Sequence, residues 1–186
     1  MKTDNLKQVM ETACAQGIVI PAFNIAYLPM AKAVCDGLAK TNAFGMLEVA
    51  RPDVEKFGAK SFTAVAAEYR QWADPGIVTL HLDHIPVIDE DHLPVDWRSL
   101  IQEGISAGVP LVLHGGSGIQ KSYVLEAVKN GITKINIGTE IRQAYEQAMA
   151  KTNNDVKSGQ AAVTEKVKEL VIDGYGIKGS ASLIVK

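Results

Sequence analysis

The sequence contains no apolar run of eighteen residues, which excludes a conventional membrane-spanning helix. Its N-terminus, MKTDNLKQVMETACAQG, is a mixed polar and apolar helical pattern without the long apolar core or small-residue cleavage site of a secretory leader. A cytoplasmic location and no membrane partner are expected. Like charges never run five or six together, and 19 Lys and Arg against 21 Asp and Glu leave a net charge of -2. No basic field exists to track a phosphate backbone, so nucleic acid is not an expected partner. Cysteine is scarce: Cys14 and Cys35, far apart and both in helix-like patterns, exclude a disulfide framework and read as buried reduced thiols. Pro-rich, Ser-rich and low-complexity linkers are also missing, so residues 1 to 186 are read as one domain. At 47% hydrophobic residues the chain can bury a core.

What is present is an alternation of short apolar runs with amphipathic stretches, the pattern of a parallel sheet with crossover helices. Five strands are expected: IVIPAFNI (18 to 25), FGMLEVA (44 to 50), GIVTLHLDH (76 to 84), VPLVLHG (109 to 115) and ITKINIG (132 to 138). Helical faces are built from Met30, Val34, Cys35 and Leu38, from Phe62, Val65, Ala66 and Tyr69, from Trp97, Leu100, Ile101 and Ile105, and from Val124, Leu125 and Val128. Asp96 is a plausible N-cap and Asn130-Gly131 a plausible helix stop. Helices over about 139 to 151 and 160 to 173 close the chain, the second carrying the apolar stripe Val163, Val167, Leu170 and Val171.

The unusual residues collect at the C-terminal ends of the strands: Asn24, Asp83 with His84, His114 and Asn136. That is the ligand-binding edge of parallel α/β architectures. In LHLDHIP, period two puts His81 and Asp83 on one face, and Pro86 frees His84 to turn toward the same rim. A carboxylic acid beside a metal-ligating imidazole is one reading; a loop-capping aspartate with two satisfied polar histidines is the other. In HGGSG, glycines between a strand and a helix let backbone N–H groups approach an anion, and Ser117 adds a hydroxyl donor, which suits a phosphate. A tight turn needing positive φ would explain the glycines but not His114 or Ser117. NIGTEIR repeats the theme, with Gly138 for close approach and Thr139 as N-cap candidate. His92 reads as a solvated surface histidine, and Arg51 as either an anion contact or a surface ion pair.

Taken together, PAFN, LHLDH, VLHGGSGI and KINIGTEIRQAY resemble the class II, zinc-dependent ketose-bisphosphate aldolases, the fructose- and tagatose-bisphosphate aldolase family. The resemblance implies a (β/α)₈-barrel type of α/β fold and reversible cleavage of a ketose 1,6-bisphosphate into dihydroxyacetone phosphate and glyceraldehyde 3-phosphate. It implies zinc as cofactor, with His84 and His114 as ligands, acting as a Lewis acid that stabilises an enediolate. Asp83 would be the general acid/base and Asn136 would hold the enediolate. Gly115, Gly116, Ser117, Gly138 and Thr139 would bind the phosphate, and Asn24 matches an asparagine near the family's site.

Three departures accompany the resemblance. Gly138 stands where the family often has aspartate, and Ala50 where a serine may end the second strand. LIQEGISAG also runs straight into VPLVLHGGSG, without the three βα units that carry an acidic strand and another zinc histidine. At about 30 residues per unit, three units account for the shortfall against a barrel of ~250 residues. The seam falls at about 108 to 109. The expectation is therefore a partial barrel of about five βα units, with only two identifiable zinc ligands where three are usual. Two sheet edges would need covering, which favours a homo-oligomer. A non-catalytic module that binds sugar phosphates, or a shortened remnant, are the rival readings.

Overall fold

A computed structural model of the chain describes residues 6–83, 92–107 and 134–184. Four parallel strands, β1 (Ile20–Asn24), β2 (Gly45–Val49), β3 (Val78–Leu82) and β4 (Lys134–Ile137), form one sheet in the order β3-β2-β1-β4. Each lies inside a stretch expected to be a strand. The expected strand at 109 to 115, the helix built on Val124, Leu125 and Val128, the Asn130-Gly131 stop and the seam at 108 to 109 lie outside the described residues.

Helices cover one face of the sheet. They are α2 (Pro29–Thr41), α4 (Phe62–Trp72), α5 (Trp97–Ala107), α6 (Thr139–Lys151) and α7 (Val156–Glu169). Around the outside they neighbour one another as α5, α4, α2, α7 and α6. Local chemistry starts and stops them. Pro29 opens α2 with its φ already set, and Asn42 ends it in the left-handed conformation at φ 48. Ser61 caps α4 by accepting from Ala64 N at 3.0 Å, Asp96 caps α5 by accepting from Ser99 N at 3.3 Å, and Asp155 caps α7. Met30, Val34, Cys35, Leu38, Phe62, Val65, Ala66, Val163, Val167 and Val171 are all buried as their spacing predicts, and meet Phe23, Leu47, Val49 and Leu82 from the sheet. Glycines let two helices approach closely: a Cβ on Gly37 of α2 would lie 2.6 Å from Val167 Cγ1 of α7.

Three expectations need correction. Thr139 is the first helical residue of α6 and is exposed, with Gly138 at the cap position, so the N-cap assigned to Thr139 falls to its neighbour. The helix expected from 160 begins at Val156 because Asp155 caps it earlier, and it passes into a π-helical turn, Leu170–Gly174. Cys14 is exposed, whereas Cys35 is buried with its thiol pushed up to about 12 by burial.

The other face of the sheet is apolar toward its N-terminal end. There Ile20, Ala22 and Met46 are covered by Val9 and Ala13 of α1 (Leu6–Ala15) and by Ala181 and Ile184 of α8 (Ala181–Ile184). The tail is tied down by Ser180 Oγ, which accepts from Phe44 N at 3.1 Å, and by Asn42 Nδ2, which donates to Ser182 Oγ at 2.7 Å. Toward the C-terminal end the same face turns polar.

This face is concave. β3 and β4 are the outer strands of the four, separated by three strand spacings of about 4.8 Å. Asn136 of β4 nevertheless bonds the carboxylate of Asp83, just past β3, at 3.3 Å, and Lys134 reaches His81 at 2.8 Å. Short side chains cannot bridge a flat sheet of that width, so the strands curl toward one another. The register adds a stagger. Lys134 lies level with Ile20 of β1, while His81 lies level with Glu48 and through it with Asn24. Asn136 and Asp83 repeat that offset two residues further along. Among the described residues, no helix is long and apolar enough to cross a membrane.

Candidate functional site

The polar end of the concave face brings together side chains from every strand. Asn24 ends β1, and one amide nitrogen serves two carboxylates: Nδ2 donates to Asp53 Oδ2 at 3.2 Å and to Asp83 Oδ2 at 3.3 Å. Asn136 Nδ2 donates to the other oxygen of Asp83. Asp83, 6% exposed, is thus held by an amide on each oxygen, one from β1 and one from β4. Those bonds orient its carboxyl at the mouth of the sheet, where a proton can be passed.

Asp53 comes from α3 (Arg51–Glu55), a short helix that β2 feeds directly. Its Oδ2 also accepts from Ala50 N at 2.8 Å, the backward half of a capping box, so the residue is fixed by its own helix start. Burial pushes its carboxyl up to about 6, against the pull of the Ala50 N–H and the Asn24 amide. Gly138 makes the arrangement possible. A Cβ there would sit 3.2 Å from Asn24 Oδ1 and 3.3 Å from Asn24 Cβ, so any side chain would press on the amide that links the two aspartates.

Beneath this rim lie Glu48, His81 and Lys134. Glu48 Oε2 accepts from Lys134 Nζ at 3.2 Å and lies 3.5 Å from His81 Nε2, while Lys134 Nζ is 2.8 Å from the same imidazole nitrogen. Glu48 is fully buried, His81 1% exposed, and the Lys134 side chain 14% exposed. Burial pushes Glu48 up to about 8, helped by the Asp83 carboxylate and opposed by the Lys134 ammonium. Lys134 Nζ and His81 Nε2 are within hydrogen-bond distance, their roles set by the imidazole tautomer.

Outside the rim, Glu146 of α6 accepts from Tyr27 Oη and from Arg142, each at 2.8 Å, and the guanidinium lies 4.8 Å over the Phe57 ring. Arg142 also acts on Asp53, lowering it. This clasp joins the loops after β1 and α3 to α6.

Of the expected site residues, Asn24, Asp83 and Asn136 are brought into one hydrogen-bonded group, with Gly138 against Asn24. Thr139 follows at the start of α6. His84, His114, Gly115, Gly116 and Ser117 lie outside the described residues. His92 is exposed, as expected of a surface histidine. Arg51 makes the ion pair with Glu55 at 3.0 Å, but its own side chain is buried. Glu48, Asp53 and Lys134 were not foreseen. A signal existed: a strand buried on both faces should be apolar throughout, and the lone Glu48 in FGMLEVA and Lys134 in ITKINIG break that rule.

The family description that matches the chain is "Fructose-bisphosphate aldolase class-II", over residues 4–96 and 89–182. The fructose-bisphosphate aldolase of Streptococcus pneumoniae serotype 4 is 37% identical over 79 residues, a match covering 39% of this chain and 27% of that enzyme. The fructose-bisphosphate aldolase of Ureaplasma parvum serovar 3 is 34% identical over 97 residues, covering 50% of this chain and 33% of that enzyme. The chain thus spans no more than a third of these curated relatives' length. An aldolase structure from Escherichia coli K12 superposes with a TM-score of 0.65 at 19% identity, covering 97% of this chain and 100% of that one. The fructose-bisphosphate aldolase structure from Campylobacter jejuni gives 0.62 at 14% identity, covering 96% of each. At those identities the superpositions speak to the fold.

Proposed function

Since the chain belongs to the class-II fructose-bisphosphate aldolase family, we propose that it is an aldolase-type lyase acting on a ketose 1,6-bisphosphate at the polar end of its concave sheet. The observation that carries this reading is Asp83 held at the strand ends by Asn24 and Asn136. Asp83 takes the proton of the substrate's C4 hydroxyl as the C3–C4 bond breaks, and returns it in the condensation direction. Asn136 holds the three-carbon fragment that leaves as dihydroxyacetone phosphate. The backbone N–H groups of Gly115, Gly116 and Gly138, with the hydroxyls of Ser117 and Thr139, hold a phosphate.

Each Asp83 oxygen accepts from an amide, which orients that carboxylate for proton transfer. Imidazole is a donor that suits zinc. His84 and His114 would be its ligands; among the described residues, no group of three His, Cys, Asp or Glu side chains could hold a metal ion. When bound, zinc would polarise the substrate ketone as a Lewis acid.

The same proposal takes the fold as a shortened (β/α) barrel lacking about three central units at 108 to 109. The curl and stagger of the sheet support it, since strand tilt and register offset go together in closed barrels. The family also matches this chain in two segments, 4–96 and 89–182, rather than in one. A cytoplasmic homo-oligomer, with partner copies covering the sheet edges, completes the reading.

A second reading, a sugar-phosphate-binding module without turnover, draws on the two identifiable zinc ligands. Cleavage of fructose 1,6-bisphosphate with and without zinc separates them. Turnover restored by zinc supports the lyase, whereas chelator-indifferent binding of dihydroxyacetone phosphate without turnover supports the module.

A further inference from the structure

The polar side chains of the concave face form two tiers. Asn24, Asp83 and Asn136 make the upper one, and Glu48, His81 and Lys134 lie below, two residues back along β3 and β4. We propose that Lys134, gripped between Glu48 and His81, is a positioning residue: it ties β4 to β2 and β3 across the concave face and so sets the contact between Asn136 and Asp83. The catalytic consequence rests on the aldolase reading of the upper tier; the tie itself does not.

Three features carry this. First, β4 pairs with β1, so within the described sheet its backbone ladder gives it no direct hold on β2 or β3. Side chains supply that hold, and Lys134 does so twice, to Glu48 on β2 and to His81 on β3. Second, the Lys134–His81 and Asn136–Asp83 contacts share one register offset and sit two residues apart on the same two strands, on the same face. A shift of β4 that lengthened the lower contact would lengthen the upper one with it. Third, the lower tier is poorly explained as a stabilising device. Buried charges are often matched or bettered in stability by apolar residues of similar volume, and Glu48 Oε1 has no hydrogen-bond partner among the described residues. A half-buried ammonium that specifies one arrangement of three strands has a use that an apolar filler lacks.

The test is the side-chain amide of Asn136, followed by nitrogen-15 NMR hydrogen exchange in the wild-type chain and in Lys134→Met and Lys134→Arg. The tie predicts at least about tenfold faster exchange of the Asn136 amide in Lys134→Met with the backbone spectrum preserved, and recovery in Lys134→Arg. In the zinc-supplied enzyme it predicts a fall in kcat of up to about a hundredfold with KM little changed, the signature of a displaced proton-transfer group. If Lys134→Met does not fold, the double variant Glu48→Leu/Lys134→Met, which removes the buried carboxyl together with the amine it meets, takes its place. Unchanged Asn136 exchange in the folded variant overturns the proposal. A wild-type chain without turnover would count against the lyase reading alone, because the exchange experiment still decides the tie.

Discussion

Replacing Glu48 by glutamine fixes in place the uncharged form that burial favours, and the result is read in pH dependence. The carboxyl of Glu48 is pushed from 4.5 to about 8, with loss of water as the first cause and Asp83 as the second. Below 4.5 both folded and unfolded chains hold the proton, so the group contributes no pH dependence. Between 4.5 and about 8 the unfolded chain releases the proton while the folded chain keeps it, and wild-type stability falls as pH rises through that interval. Each pH unit is worth about 1.4 kcal/mol, so the interval sets a ceiling of about 5 kcal/mol. The glutamine amide has no proton to lose over this range. Urea unfolding of both chains at pH 5.5 and pH 8.5 is the assay. The stability of Glu48→Gln relative to wild type should rise by a few kcal/mol between the two pH values, while contributions from Asp53 and other groups cancel in the difference. A difference that stays level, or that moves against the variant as pH rises, would mean that Lys134 keeps Glu48 ionised, and would refute this account of the lower tier.

Two further substitutions test packing and the rim. Gly37→Ala places a methyl 2.6 Å from Val167 Cγ1 and should destabilise the chain by about 1–3 kcal/mol, seen as a lower urea midpoint; adding Val167→Ala should recover part of that loss. Gly138→Asp brings a Cβ to 3.2 Å from Asn24 Oδ1, so the amide must give by a few tenths of an ångström, and should lower zinc-supported cleavage by up to about tenfold while moving Tm little, since the residue is partly exposed at a helix start. Unaltered activity in Gly138→Asp would mean that Asn24 is not needed where it lies.

Much of this molecule was legible in its sequence because its signals are local. Apolar runs near the expected boundaries became β1 to β4, and the spacing of Val163, Val167 and Val171 placed α7 and the turn after it against the core. The rim was legible through a general rule, that polar residues at the carboxyl ends of parallel strands face the ligand. Three things were not. Glu48 and Lys134 are distant in sequence and meet only because the sheet curls, which no local pattern encodes. Asp53 follows a proline in a five-residue helix too short to show periodicity, and its role comes from a backward capping bond to Ala50. The cap of α6 falls on Gly138, one residue before Thr139, and makes no side-chain hydrogen bond that a local pattern could announce.

The central claim is that Asp83 passes the proton in a zinc-dependent retro-aldol reaction. It is tested most directly by measuring triose phosphate release from fructose 1,6-bisphosphate by the purified chain, with zinc, with chelator, and in Asp83→Ala. The account predicts release that chelator abolishes, that zinc restores, and that falls on the order of 10²–10⁴-fold in Asp83→Ala, the range of a lost general acid/base. Release that is indifferent to chelator, or equal in wild type and Asp83→Ala, would contradict it.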